Sequence, residues 1–260
     1  MKKHLICFIF CLSILSLCLT SVGAASQSYN WYCIRNKEHL QPKIDSNMTF
    51  INNYNSYYVD RNHSDNCNEK VIYLTFDAGY ENGNIKKILD ILKEENVPAA
   101  FFILENLILK NPELILQMVE DGHSVCNHTS KHRDITKYET KEELENDIKA
   151  LEIKFTELTG QKMKKYFRPP EGKFDEKSLS FVSELGYKTI FWSFAYADWD
   201  NNNQMSEENA MNKILSNVHN GEIMLLHPTS STNASVIKKM ITELRSQGYR
   251  FASLDELVAV

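Results

Sequence analysis

The chain has 260 residues, of which 43% are hydrophobic and 24% are charged, and it carries a formal net charge of −5 with a pI near 5.9. This length and composition are typical of a globular protein with one substantial core, and they predict one catalytic domain with a short preface. The acidic balance excludes a general nucleic-acid binder, because neutralising phosphates requires a basic surface. A neutral or polymeric substrate fits this charge better.

The N-terminus predicts an export signal. Lys2 and Lys3 precede an apolar run over residues 5–19, which is too short for a membrane span but typical of a signal-peptide core. Small residues at 22–25 suit cleavage, so residues 1–25 are predicted to be a signal peptide, with an uncleaved membrane anchor as the alternative. After cleavage we expect an extracytoplasmic protein without stable membrane insertion.

Residues 26–69 are rich in Asn, Ser and Tyr and show little periodicity, which predicts a mostly irregular N-terminal extension. Cys33 and Cys67 lie in it and could pair, although the mature chain has an odd number of cysteines. From residue 70 onward, strand-like and helix-like segments alternate, which predicts a mainly parallel sheet covered by helices. The predicted strands are Val71–Phe76, Ala99–Ile103, His123–Asn127, Lys165–Phe167, Thr189–Trp192, Glu222–Leu226 and Arg250–Ala252. The predicted helices are Ile85–Glu95, Pro112–Asp121, Lys141–Leu158, Glu176–Leu185, Ser206–Asn217 and Ser235–Gln247.

Polar residues follow the predicted strands at the point where each strand ends. Residues at the C-terminal ends of strands in an alternating α/β barrel converge on one mouth. The sequence therefore predicts a mouth that holds a carboxylate, a histidine pair, an arginine and a late histidine, which are the parts of a hydrolytic site. These residues are Asp77, His128 with His132, Arg168, Asp198 and His227.

Each of these residues also has an ordinary structural interpretation. An Asp at a strand end is often a cap, but Asp77 at the mouth could act as a general base toward water. Histidines four residues apart are more often surface or core residues, but one helical turn could turn both imidazoles of His128 and His132 toward a metal. Arg168 precedes two prolines, which suggests a side chain aimed at a carboxylate. His227 could be structural, yet imidazole has a suitable pKa for donating a proton to an amine.

With these residues assembled, the chain resembles the NodB-type polysaccharide deacetylases, the carbohydrate esterases of family 4. The resemblance extends from about residue 70 to the C-terminus, and it implies a distorted (β/α)7 barrel and metal-assisted removal of acetyl groups from N-acetylated sugars. It implies Asp77 as base, His128 and His132 as metal ligands for a divalent ion, with zinc as the expected ion, and Arg168 as the partner of Asp77. The matching motifs are Thr75–Gly79 for TFDDG, His128–His132 for H[ST]xxH, Arg168–Gly172 for RPPYG, Asp198-Trp199 for DxxDW and Leu225–His227 for LxH.

The same resemblance implies roles for the remaining residues of the site. His227 would protonate the departing amine, and the backbone N–H of Glu171 would stabilise the oxyanion. Tyr80 and Glu171 would contact the substrate, and Trp199 would face the sugar or serve as a packing aromatic. Asp198 could replace the tether of His227 that the family usually takes from the first Asp of DxxDW.

Three positions depart from the family pattern. Ala78 replaces the second Asp of TFDDG, a metal ligand, so metal affinity should fall. Glu171 replaces the Tyr of RPPYG, and Ala195 replaces the first Asp of DxxDW. Glu81 is a conceivable stand-in for the missing ligand.

These departures and the surrounding residues are similar to the peptidoglycan N-acetylmuramic acid deacetylases, which act in muramic δ-lactam formation in the spore cortex. The resemblance implies a peptidoglycan strand as partner, no nucleic acid, and a location at the cell wall or spore envelope. Arg168 or Lys173 would favour the lactyl carboxylate of the sugar, or, in the alternative, Arg168 is fully engaged by Asp77 and Lys173 faces solvent. The alternatives are a deacetylase of N-acetylglucosamine in peptidoglycan or chitin-like glycan, and a glycan-binding module without catalysis.

Overall fold

The computed structural model describes residues 27–259, so the predicted signal peptide over residues 1–25 lies outside the described residues. Strands and helices alternate along this part of the chain. The strands are β1 (Tyr29–Asn30), β2 (Ser56–Tyr57), β3 (Lys70–Ala78), β4 (Ala99–Ile103), β5 (Ser124–Asn127), β6 (Tyr166–Phe167), β7 (Lys173–Phe174), β8 (Lys188–Ile190), β9 (Glu222–Leu226) and β10 (Tyr249–Phe251). The α-helices are α1 (Ile85–Glu94), α2 (Glu105–Lys110), α3 (Pro112–Glu120), α4 (Lys141–Thr159), α5 (Glu176–Glu184), α6 (Glu207–Leu215), α7 (Ser231–Ser246) and α8 (Leu254–Leu257), and 3-10 helices span Ser46–Asn53, Ile135–Lys137 and Pro170–Gly172.

The main sheet is parallel and has the strand order β10-β3-β4-β5-β6-β8-β2. Strand β9 also pairs with β3, where Ile72–Phe76 lie beside Glu222–Leu226. The sheet curls into an incomplete barrel, which confirms the predicted distorted (β/α)7 barrel. Because all pairings in this sheet are parallel, the strands end at the same edge, and the predicted site residues follow them there.

Strand β3 pairs with three other strands, β4, β9 and β10. Its residues 71–76 are all buried, because helices cover the outside and side chains fill the inside. Phe76 stacks on Phe101 of β4 with ring centroids 5.0 Å apart. These buried residues fix the position of Asp77, which follows them within β3.

The N-terminal extension is more ordered than the sequence predicted. It contains β1, a 3-10 helix and β2, and β2 adds a parallel strand to the edge of the main sheet beside β8, with Ser56 opposite Thr189. Strands of two residues are too short to show an alternating pattern, so they left no signal in the sequence. The extension therefore completes one edge of the barrel.

The helices differ from the prediction at three points. The short helices α2 and α8 were not predicted, because so few residues show no helical periodicity. Helix α7 begins at Ser231 rather than Ser235, since the side chain of Ser230 caps it by accepting the N–H of Asn233 at 3.0 Å. No helix within residues 27–259 is long and apolar enough to cross a membrane.

Candidate active site

A cavity of about 790 Å³ opens at the carboxyl ends of the strands. Arg168 and Asp198 lie behind its wall, almost wholly buried. The structure thus brings the predicted residues together at one mouth, as their places after parallel strands indicated. The predicted residues that line the cavity are Asp77, Tyr80, His128, His132, Glu171, Trp199 and His227.

Asp77 and Arg168 form a buried ion pair under the cavity. Arg168 Nη1 donates to Asp77 Oδ1 at 2.9 Å, and its other nitrogens donate to Thr75 Oγ1 and to the Ile190 and Phe191 carbonyls. Burial opposes the charge of Asp77, but Arg168 and the nearby histidines outweigh it and lower the pKa of this carboxyl. Asp77 is therefore ionised at neutral pH, with Oδ2 left for chemistry.

Arg168 has no capacity for a second anion. Its side chain is 0% exposed, and four of its five N–H groups donate to protein acceptors. Lys173 lies 2.5 Å from the carboxylate of Glu171 and is not part of the cavity wall. The prediction that Arg168 would attract a lactyl carboxylate is therefore wrong, because Arg168 is buried behind Asp77.

His128 and His132 face each other across a loop, with ring centroids 5.1 Å apart. The predicted helical turn is wrong: residues 128–132 form an irregular loop in which Thr129 and His132 have φ values of 66° and 58°. His128 Nδ1 lies 2.8 Å from the Arg168 carbonyl oxygen, so Nδ1–H donates and Nε2 keeps the lone pair. Burial lowers the pKa of His128 to about 4, so this imidazole is neutral at neutral pH.

The donor atoms around His128 fit a cation. Nε2 of the neutral imidazole lies 3.6 Å from Asp77 Oδ2, so two atoms that carry lone pairs face each other. A metal-binding histidine also usually donates its other N–H to a carbonyl, as His128 does. Within residues 27–259, however, no group of three or more His, Cys, Asp or Glu side chains is arranged to hold a metal. His128 and His132 therefore lie close together, and no third side chain of these types joins them within residues 27–259.

The carboxylate missing from this site is not replaced from nearby. Ala78 is 0% exposed and packs in the apolar core. Glu81, the conceivable stand-in, uses its carboxylate to accept the N–H groups of Gly83 and Ile85 at the start of α1. Both carboxylate oxygens of Glu81 thus accept backbone N–H groups, and Glu81 does not line the cavity.

His227 is held by Asp198 on the other wall of the cavity. Its Nδ1 lies 2.7 Å from Asp198 Oδ1, and its backbone N–H donates to Oδ2 at 2.8 Å. Burial works against the imidazolium, but the hydrogen bond and charge of Asp198 outweigh it and raise the pKa of His227. Asp198 therefore holds Nδ1 of His227 as the predicted tether would. The other ring nitrogen, Nε2, is left on the side of the cavity.

Exposed aromatic rings flank the cavity mouth. Trp199 is 63% and Tyr80 is 47% exposed, and Asn201 Nδ2 donates to the hydroxyl of Tyr80 at 2.6 Å. Glu171 lies on the rim in a left-handed conformation, with φ of 56°. The adjacent Gly172 leaves no space for a side chain, since a Cβ there would lie 2.8 Å from the ring of Trp192.

The extension supports the cavity wall from behind, which the sequence did not predict. Trp31 of the extension stacks on Phe191, with ring centroids 4.2 Å apart. Cys33 and Cys67 are free thiols, so they do not pair. Three alternate side chains donate to carbonyls of the segment over residues 192–195: Trp31 Nε1 to Trp192 at 2.8 Å, Cys33 Sγ to Ser193 at 3.2 Å and Arg35 Nη1 to Ala195 at 3.1 Å.

Comparisons with known proteins agree with this arrangement. The family described as "Polysaccharide deacetylase" matches residues 64–190. The peptidoglycan-N-acetylmuramic acid deacetylase PdaA of Bacillus subtilis is 36% identical over 94% of this chain and 94% of its own length. The structure of Bacillus subtilis PdaA, a family 4 carbohydrate esterase, is 36% identical in sequence and superposes with a TM-score of 0.83 over 89% of this chain and 97% of that chain. A peptidoglycan-N-acetylglucosamine deacetylase of Bacillus cereus is 33% identical over 74% of this chain and 89% of its own length.

Proposed function

This chain belongs to the polysaccharide deacetylase family and is a hydrolase of amide bonds, and from its site we propose that it removes the N-acetyl group of N-acetylmuramic acid in peptidoglycan. The observation that carries this proposal is the cavity with Asp77 on one wall and the His227–Asp198 pair on the other. Amide hydrolysis needs a base for water and an acid for nitrogen, and these groups supply both. The relative of known substrate that matches nearly the whole chain is named for muramic acid.

Asp77 is the base in the proposed reaction. It is ionised at neutral pH, and Arg168 fixes one oxygen so that Oδ2 faces the cavity. A water held between Oδ2 and the acetyl carbon would lose its proton to this oxygen as it attacks. Arg168 stays charged and fully buried throughout, so it positions the base and does not touch the sugar.

His227 is the acid. Its raised pKa increases the fraction of imidazolium at neutral pH, and Nε2 is the atom that faces the cavity. Proton transfer from Nε2 to the departing nitrogen turns a poor leaving group into an amine. On the opposite side, the backbone N–H of Glu171 would donate to the oxygen of the tetrahedral intermediate.

The metal site of the proposal consists of His128 and His132. Imidazole ligands suit zinc, and we infer a zinc site of reduced affinity because Ala78 supplies no carboxylate. A divalent ion, when bound, supplies positive charge for the acyl oxygen and acidifies water. The described residues provide two imidazoles, so water or substrate would complete its coordination.

The sugar would lie between Trp199 and Tyr80, whose exposed rings offer flat apolar faces. Muramic acid carries a lactyl ether beside its acetamido group and needs space there. Ala195 lines the wall with a methyl group only. Since no Lys or Arg of residues 27–259 lines the cavity, recognition of muramic acid would depend on this space rather than on a cation.

Removing the acetyl group beside a free lactyl carboxylate leaves an amine and a carboxylate on one sugar, which are the two groups that a lactam joins. The proposed role is therefore a step toward muramic δ-lactam in the spore cortex. It places the protein outside the cytoplasm at the cell wall or spore envelope, with residues 1–25 as a signal peptide or, in the alternative, as an anchor.

Acetate release from three substrates tests the proposal: peptide-bearing glycan, amidase-treated glycan and N-acetylglucosamine oligomers. We expect amidase-treated glycan to react fastest, because removing the stem peptide clears the space at the lactyl group. Fastest release from the oligomers would favour an N-acetylglucosamine deacetylase instead. No release from any substrate, together with retained glycan binding, would leave a glycan-binding module. The Asp77→Asn variant is the control for release that does not depend on this site.

A further inference from the structure

Asn233 joins three segments of the cavity wall from the first turn of α7. It is 0% exposed, although Asn is usually a surface residue. Its Nδ2 donates to Asp198 Oδ2 at 2.6 Å and to the His227 carbonyl at 3.0 Å. Its Oδ1 accepts the hydroxyl of Tyr196, a residue of the cavity wall. One buried amide thus contacts the tether of His227, the backbone of His227 and the wall beside them.

The chemistry of these contacts permits one orientation of the amide. Nδ2 faces a carboxylate and a carbonyl, which only accept, and Oδ1 faces a hydroxyl, which donates. The reversed amide would set its oxygen against two acceptors in a buried site, which is strongly unfavourable. Asn233 therefore has a fixed direction, and it fixes the oxygen of Asp198 that it contacts.

We propose that Asn233 is a positioning residue that holds the carboxylate of Asp198 in the plane in which Oδ1 meets His227 Nδ1. This inference rests on the proposed function, in which His227 is the acid. Oδ2 of Asp198 receives Asn233 Nδ2 and the N–H of His227, so Oδ1 is left for the imidazole. Without the amide, the carboxylate has one fixed donor fewer and can rotate away from Nδ1.

The charged groups that act on His227 determine how its pKa should respond when one contact is removed. They are Asp198 from the loop after β8, Asp77 from the end of β3 and Arg168 from the end of β6. The contact with Asp198 raises the pKa of His227, and Asp77 adds to this, while Arg168 and burial oppose it. Weakening the Asp198 contact alone should therefore lower the pKa of His227 and move the alkaline limb of activity to lower pH.

Two variants test this role. Asn233→Leu keeps the shape and removes the donor, so we expect kcat to fall roughly 10–100-fold with KM changed by less than about twofold, the pattern of a lost supporting contact. The alkaline limb of the pH–rate profile of Asn233→Leu should move to lower pH. Asn233→Asp carries a donor while its carboxyl is protonated, so its activity relative to wild type should be highest at acid pH and fall as pH rises, since two carboxylates then repel.

NMR titration of the His227 side chain supplies a readout that does not need turnover. We expect a lower pKa in Asn233→Leu than in wild type. An unchanged His227 titration in folded Asn233→Leu, or an Asn233→Asp activity ratio that does not vary with pH, would overturn the inference. If wild type released no acetate, the proposed function would fail, and the NMR titration would still decide the role of Asn233.

Asn220→Leu is the matched control. Asn220 is also a buried Asn and its Nδ2 donates to the carbonyls of Ser64 and Glu69, but it lies before β9, at the end opposite to His227. A purely structural effect of losing a buried amide would appear in both variants. We expect Asn220→Leu to lower stability while the His227 titration and the pH profile stay as in wild type.

Discussion

Replacing Asp77 should separate catalysis from stability. Asp77→Asn and Asp77→Ala both remove the base, so we expect acetate release to fall roughly 10²–10⁴-fold in each. The two variants should differ in stability. In both variants the wholly buried guanidinium loses its countercharge, but in Asp77→Asn the amide oxygen still accepts from Arg168 Nη1, whereas Asp77→Ala also leaves that N–H without its acceptor. Breaking a buried pair in this way costs about 3–5 kcal/mol, and three remaining acceptors of Arg168 place the loss at the low end.

Urea unfolding and acetate release from amidase-treated glycan measure the two effects. Asp77→Asn should unfold at a higher urea concentration than Asp77→Ala, while both are equally inactive. Near-normal turnover by Asp77→Asn would remove Asp77 from the mechanism. Equal stability of Asp77→Ala and wild type would show that Arg168 does not depend on this carboxylate, and the argument for a fixed base would fail.

Three further predictions concern the metal, the wall and pH. Ala78→Asp should tighten binding of a divalent metal by at least about tenfold, because losing even a residue that only supports a metal ligand weakens binding on that scale. If titration calorimetry shows no gain in metal affinity, the two-histidine site is contradicted. Trp31→Phe keeps the stacked ring but loses the bond to the Trp192 carbonyl, so KM should rise and the unfolding free energy fall by about 1 kcal/mol; unchanged values of both would show that the extension does not support the wall. The hydrogen bond to Asp60 outweighs burial and raises the pKa of His63 above 6.5. Protonated His63 therefore stabilises the folded protein below pH 6.5, and this stabilisation is lost as pH rises through the folded pKa. In His63→Gln, urea unfolding should no longer show this loss.

The sequence predicts the site well wherever a residue directly follows a buried strand. Asp77 comes after the continuous apolar run of β3, and His227 comes directly after β9. Parallel strands end at one edge, so the order of strand and polar residue in the chain is enough to place these side chains together. The same rule places Arg168 after β6, and the buried position of its guanidinium follows once Asp77 is its partner.

Other parts of the site depend on contacts that no local pattern contains. Trp31 meets Trp192 across 161 positions of the chain, and Asn233 meets Asp198 across 35. The loop from His128 to His132 was predicted as a helical turn because the spacing suits one. The structure instead has residues with a left-handed backbone there, and no glycine at these positions indicates that conformation in the sequence.

The charges of the cavity explain how the chain tolerates Ala78. Asp77 is paired with Arg168, and Asp198 is hydrogen-bonded to His227, whose raised pKa favours the imidazolium. His128 is neutral because burial lowers its pKa to about 4. A second carboxylate at position 78 would be an unpaired negative charge in a fully buried place unless a metal neutralised it. With alanine there, no such charge needs a metal, and we expect folding of this chain to depend less on metal than folding of the Ala78→Asp variant.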